Sequence, residues 1–256
     1  MSVSATDRLR RSSLYFVSLL GLIATWQIAA TVAGDPALLP APLPVLTATG
    51  GELIRGELLH HVGITLMRVL AAFVLAMSIG ITVGVLMGRD RTVDGLLDPV
   101  LIVLLNLPAL VVIVLAYLWI GLTEAAAIAA VTINKVPLVT VMLREGARAL
   151  DPQFDALASI YRMSRWKRLR HILLPQLAPY IAAAARSGIA LIWKIVLVVE
   201  LLGRSNGVGF KIHLYFQLFD VKMVLVYAIS FVLVMLCVEA FVMRPVETAA
   251  NRWRSA

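Results

Sequence analysis

Six long apolar runs, separated by short polar stretches, organise this chain. They cover residues 14–33, 64–88, 98–120, 124–143, 177–201 and 223–243. Each is close to the roughly 20 residues that a helix needs to cross a hydrocarbon core of about 30 Å. None shows the period-two alternation of a membrane barrel. The pattern predicts an all-α, polytopic helix bundle with six transmembrane helices, forming one transmembrane domain over 1–256. The first run follows Arg8, Arg10 and Arg11, as a signal peptide would. It is longer than a typical signal core and more spans follow, so it reads as an uncleaved first span.

The connections differ in kind. Gly121-Leu122-Thr123 alone separates the third and fourth runs, a tight turn. Residues 34–63 begin with Gly34-Asp35-Pro36 and continue Leu39-Pro40-Ala41-Pro42-Leu43-Pro44. Alternating prolines favour an extended stretch, after which 47–62 can form a short interfacial helix. Residues 202–222 carry Gly203, Gly207 and Gly209. No Lys-Ser or Lys-Thr follows, so this is a turn or re-entrant element and not a phosphate-binding Walker A loop.

Composition sharpens the picture. Apolar residues make up 61% of the chain and charged residues 15%, with a mean hydropathy of +0.91. A soluble domain of this size could not bury such runs. The net charge of +8 suggests nucleic-acid binding until it is mapped. Fifteen Lys and Arg lie on one side of the predicted spans: 8, 10, 11, 89, 91, 144, 148, 162, 165, 167, 168, 170, 244, 252 and 254. Four lie on the other side: Arg55, Arg204, Lys211 and Lys222. This bias puts the first side, with both termini, in the cytoplasm. No nucleic-acid partner is expected. The single cysteine, Cys237, reads as a small buried hydrophobe. The histidines, with Glu57 and His61 at i,i+4, form no ligand set, and no cofactor or metal is expected.

The cytoplasmic loop 144–176 reads as two amphipathic helices. Asp151 can cap the first, with Pro152 at its first position. Phe154, Leu157, Ala158 and Tyr161 share one face. Ser164 can cap the second, where Trp166, Leu169, Ile172 and Leu173 align, and Pro175 ends it. Periodicity alone leaves two readings open: a helix lying on anionic lipid headgroups, or a docking surface for a cytoplasmic protein.

The same loop resembles the EAA loop of bacterial ABC-importer permeases. That signature runs Glu-Ala-Ala, three residues, Gly, nine residues, Ile, one residue, Leu-Pro. Ala158, Ile172, Leu174 and Pro175 match it. Ala156 stands at the Glu position, Leu157 at the first Ala and Arg162 at the Gly. Further blocks resemble the nitrate/sulfonate/taurine branch of these permeases. They include Leu39-Pro40-Ala41-Pro42, Arg68-Val69-Leu70-Ala71-Ala72-Phe73, Gly84-Val85-Leu86-Met87-Gly88, Leu97-Asp98-Pro99, Trp119-Ile120-Gly121-Leu122 and Glu200-Leu201-Leu202-Gly203 with Gly207-Val208-Gly209-Phe210.

The resemblance implies a type I importer fold and a permease that pairs in the membrane, as a homodimer or with a paralogue. It implies two ATP-binding subunits on the cytoplasmic side and an external solute-binding protein. ATP hydrolysis would belong to the partner, and the cargo would be a small anion such as a sulfonate, nitrate or organic acid. The helix near 154–163 would couple to the ATPase through Phe154, Ala156, Leu157, Ala158, Tyr161, Arg162 and Met163. Polar residues inside spans are costly and usually face a cavity or partner. Asn106, Asn134, Lys135, Trp193, Lys194 and Glu200 are therefore candidates for the substrate pathway, with Arg186 behind them. Pro108 and Pro137 would break helical hydrogen bonds beside them. Arg68 can snorkel from a span end. The rival classes are a stand-alone secondary transporter or channel and a membrane scaffold that recruits a cytoplasmic protein.

Overall fold

A computed structural model describes residues 5–245. Arg252 and Arg254, counted above on the cytoplasmic side, lie outside the described residues. The elements are α1 (Ala5–Ala33), α2 (Pro42–Arg55), α3 (Leu58–Arg89), α4 (Arg91–Asn106), α5 (Ala109–Ile120), α6 (Glu124–Arg148), α7 (Pro152–Ile160), α8 (Arg165–Arg168), α9 (Leu174–Gly203), α10 (Val208–Gln217) and α11 (Val221–Val238). A π-helical turn, Leu169–Leu173, joins α8 to α9, and a second, Glu239–Met243, extends α11.

Four helical stretches are long and apolar enough to cross a membrane: Leu58–Arg89, Glu124–Arg148, Arg165–Gly203 and Val221–Met243. The expected third span, 98–120, is not one helix. It starts at Arg91 and breaks after Asn106, and α4 and α5 bend by 97°. The cause is Pro108. It forces Leu107 into extended backbone (φ −72°, ψ 123°) and starts a new helix. Counted as one broken span, the pair makes a fifth. The first predicted span lies in α1, whose apolar part is the shorter stretch Val17–Ala33. Pro137, by contrast, leaves α6 unbroken.

Two other expectations are corrected. The proline-rich stretch is extended only as far as Ala41, and Pro42 opens α2 as a first-turn proline. Pro175 does not end the loop's second helix, because Arg165–Gly203 runs through it. The π-turn explains this. There the Leu174 N–H bonds to the Leu169 carbonyl, a wider turn that accommodates a residue without an N–H.

The chain divides into two compact units, residues 1–59 with 211–231, and residues 60–210 with 232–256. In the first, the Trp26 indole donates to the Pro40 carbonyl at 3.0 Å and the Tyr227 hydroxyl to Glu52 at 3.0 Å. In the second, α6 is central and more than half buried. Its Ala127, Ala130 and Val131 meet Val69, Ala72 and Ala76 of α3, Ile113 and Ala116 of α5, and Ile192, Val196 and Val199 of α9. Small residues set this geometry, since apolar attraction between helices is weak in lipid and close backbone packing replaces it. Gly80, Gly84 and Gly88 continue the Ala72–Ala76 row along α3. A Cβ on them would fall 2.6 Å from Val139 Cβ, the Thr140 carbonyl oxygen and Ala147 Cβ of α6. Asp90 starts α4, accepting from the Thr92 and Val93 N–H groups at 2.8 and 3.2 Å. Those two bonds hold its carboxyl below the usual range. Cys237 is exposed on α11, not buried as expected.

Candidate functional site

The loop helix α7 is fixed at both ends. Asp151 caps it, its Oδ1 accepting from the Gln153 N–H at 2.9 Å. At its C-terminus the Met163 N–H donates to the Ala158 carbonyl (2.9 Å) and the Arg162 N–H to the Ser159 carbonyl (3.1 Å). This is a Schellman end, which needs a left-handed residue. Arg162 fills that position at φ +45°, so the turn forms without a glycine. Between the ends, Phe154, Leu157 (46% exposed) and Tyr161 (72%) present apolar surface outward. Ala156 lies in the same helix. Ala158 does not belong to the outward face as expected. It is buried, which is why only a small residue fits there. Met163 is half-buried.

The body just before α7 is tied down by charge. Arg144 of α6 reaches Asp98 of α4 at 2.5 Å and Asp94 at 3.4 Å, and Arg148 reaches Asp94 at 2.5 Å. The broken helix α4 and the central helix α6 are thus pinned at one end, three residues before the Asp151 cap. On the far side of α7, α8 continues into α9 without a break.

The polar residues expected along a pathway separate into three settings. Lys135 is 2% exposed, and its Nζ lies 3.4 Å from the Ser187 carbonyl of α9. Asn134, beside it, is half-buried, and Asn106 is exposed at the α4 break, its amide donating to the Ile102 carbonyl. Lys194 is exposed with its Nζ 5.6 Å from the Trp193 ring centroid. Trp193 lines a groove of about 280 Å³ with Arg186, which pairs with Glu239 at 3.0 Å.

Glu200 has a different setting. It is wholly buried, and Oε1 accepts from Arg68 Nη1 at 2.7 Å while Oε2 accepts from Thr65 Oγ1 and the Gly209 N–H, both at 2.9 Å. Its carboxylate is therefore saturated by the protein. Arg68 is 4% exposed and does not snorkel. It also binds Glu124 through Nε and Nη2 at 2.8 and 2.6 Å, and it reaches the Asn206 carbonyl at 2.9 Å and the Asn206 side chain. Arg204 joins at Glu124, 2.5 Å away. The glycine-rich stretch folds over this cluster. Gly207 (φ +106°) lies so close to the Glu200 carboxylate that a Cβ would collide with it. The Gly207 N–H donates to His61 Nδ1 at 2.9 Å. Sequence reasoning missed this cluster, although an arginine inside an apolar run was the signal for it.

A sequence model of the family described as binding-protein-dependent transport system inner membrane component matches residues 61–244. A Bacillus subtilis (strain 168) permease named for aliphatic sulfonates, SsuC, is 28% identical over 92% of this chain and 85% of its own length. The bicarbonate transport system permease protein CmpB of Synechococcus elongatus is 29% identical over 78% of this chain and 75% of its own. The taurine transport system permease protein TauC of Escherichia coli (strain K12) is 28% identical over 80% and 76%. In structure, the chain is similar to a chain of the MetNI methionine ABC transporter in an inward-facing conformation. The TM-score is 0.67 at 16% identity, covering 78% of this chain and 99% of that one. That likeness carries the fold, a type I importer helix bundle.

Proposed function

The chain belongs to the family of binding-protein-dependent transport system inner membrane components, and from that premise we propose how its parts divide the work of import. It is the multi-pass membrane permease of an ATP-driven importer. ATP is hydrolysed on separate subunits, and a solute-binding protein delivers cargo. In our reading the permease pairs with a second copy, two ATP-binding subunits dock from the cytoplasm, and both termini face them. The basic residues clustered on one side of the spans support that orientation.

The cargo is a small anion, such as a sulfonate, nitrate or a related organic acid. Relatives named for aliphatic sulfonates, bicarbonate and taurine support this class, as do the cations Lys135 and Lys194 within α6 and α9. Asn134, Lys135, Trp193 and Lys194 are the residues we assign to the pathway, with Asn106 at the α4 break. Glu200 anchors the fold beside it.

The observation that carries the coupling assignment is α7, a short helix capped at both ends that turns Phe154, Leu157 and Tyr161 outward. A rigid helix transmits displacement without bending. A push on α7 reaches α6 through a three-residue link and α9 through the residues at 161–164. The test replaces Leu157 or Tyr161 with Asp. Burying a charge at a docking hot spot costs about 2 kcal/mol or more, so co-purification of the ATPase and ATP-driven uptake should both be lost. Retained binding and uptake would sink the assignment. Uptake that needs no ATPase would favour a stand-alone transporter, and ATPase binding without any uptake would favour a scaffold.

A further inference from the structure

The start of α10 is docked on α3 and α9 by side chains. A helix begins with N–H groups that have no partner inside it. Here three in a row find one outside. The Gly207 N–H donates to His61 Nδ1, the Val208 N–H to Thr65 Oγ1 and the Gly209 N–H to Glu200 Oε2, each at 2.9 Å. His61, Thr65 and Arg68 stand at i, i+4 and i+7, one stripe of α3, and Arg68 holds the Asn206 carbonyl. Of these contacts, the one on His61 is open to control by protons. His61 is 4% exposed, with the rings of His60 and Phe210 centred 5.3 and 6.2 Å away. A backbone amide can only donate, so Nδ1 carries its lone pair and the ring is neutral. A proton on Nδ1 would set N–H against N–H, and the bond would be lost. Imidazole is the side chain whose charge changes nearest neutral pH. His61 lies in the first turn of α3, next to the exposed His60, so this end of the helix is within reach of solvent.

We propose that His61 is a proton-released latch for residues 204–209. The neutral ring holds the Gly207 amide and keeps the loop down over Glu200. The imidazolium releases it, and the loop lifts. The charged groups that share these elements are Glu57, four residues before His61 and paired with Lys211 at 2.6 Å, Arg68 on the same stripe, Glu200 of α9, Arg204 of the loop, and Glu124, which Arg68 and Arg204 both bind. Three of them are carboxylates, so a variant must separate their titration from that of His61. The latch follows from the bond itself and stands apart from the cargo, the partners and the direction of transport.

The test is hydrogen exchange of the full chain in lipid nanodiscs, read at residues 204–210 at about pH 7.5 and about pH 5, either side of an ordinary histidine titration. Rates are corrected for the intrinsic pH dependence of exchange. In wild type the corrected rate should rise about tenfold in acid, the effect of losing one buried hydrogen bond. His61→Asn can place an amide oxygen where Nδ1 stands and has no proton to gain, so its loop should stay closed at both pH values. His61→Phe has no acceptor and should exchange fast at both. His60→Gln should behave as wild type. A wild-type rate that does not change overturns the proposal. An acid rise that persists in His61→Asn assigns the release to the carboxylates and overturns it as well. Should the variants not fold, the ring nitrogens of isotope-labelled histidine in wild type decide, by magnetic resonance. Nδ1 should be unprotonated at the higher pH and gain its proton in step with the loop; a loop that opens while the ring stays neutral overturns the latch.

Discussion

Replacing Glu200 with Ala should destabilise the chain by about 3–5 kcal/mol, the usual cost of breaking a buried ion pair. The contacts give the same size. Arg68 loses a charge-assisted bond at 2.7 Å, worth about 1.5–3 kcal/mol, but keeps two bonds to Glu124, so its charge is not stranded. The Thr65 hydroxyl can still donate to the His61 carbonyl at 3.0 Å. The Gly209 N–H loses its acceptor, Glu200 Oε2, and an orphaned buried donor costs about 1–3 kcal/mol. Glu200→Gln keeps the shape but turns an amide N–H₂ toward a donor, so it should cost somewhat less than Ala. Glu124→Gln is the control. Glu124 is 49% exposed, and an exposed pair contributes about 0–1 kcal/mol. The assay is unfolding of the purified chain in detergent, followed by circular dichroism, with hydrogen exchange at residues 207–209 as the local readout. Equal losses for Glu200→Ala and Glu124→Gln, or unchanged protection at Gly209, would refute the view that burial makes Glu200 the anchor.

Two further outcomes follow from backbone geometry. Arg162→Gly should stabilise the end of α7 by about 1 kcal/mol, because an L-residue at φ +45° carries a left-handed penalty that glycine lacks; slower exchange of the Met163 amide would report it, and faster exchange would contradict it. Gly84→Ala places a Cβ 2.6 Å from the Thr140 carbonyl oxygen and 2.8 Å from Leu143 Cβ. It should force α3 from α6 at a cost of about 1–3 kcal/mol, read as a lower thermal midpoint, whereas Gly95→Ala, with open space around it in α4, should raise the midpoint slightly, since alanine is the better helix former.

Four of the six apolar runs lie in helices long and apolar enough to cross a membrane, because such runs are long and local. The break in the third was not legible, since Pro108 and Pro137 look alike in sequence, yet one ends a helix and the other sits inside α6. What distinguishes them is tertiary: Pro137 is packed in the central helix of the larger unit, where its neighbours hold the helix together. The loop helix was legible from its cap and spacing, but its orientation was not. Ala158 and Leu157 are adjacent apolar residues, and only packing reveals that one faces in and the other out. Arg68 and Glu200 are separated by 132 positions, so no local pattern could join them. The glycines at 207 and 209 were visible, but their reason was not: Gly207 makes room for the Glu200 carboxylate and Gly209 for the Leu197 carbonyl.

The unbroken run from Arg165 to Gly203 has a mechanical meaning. At 1.5 Å per residue its 39 residues make a beam about 58 Å long, nearly twice the hydrocarbon thickness. A tilt of about 5° at one end swings the other by roughly 5 Å, close to one helical pitch. Small rearrangements near Gly203 would thus appear as large strokes beside α7, and the reverse stroke would be geared down. The π-turn at Leu169–Leu173 is the place along that beam where such a stroke could be absorbed, so its stiffness sets how faithfully the two ends keep time.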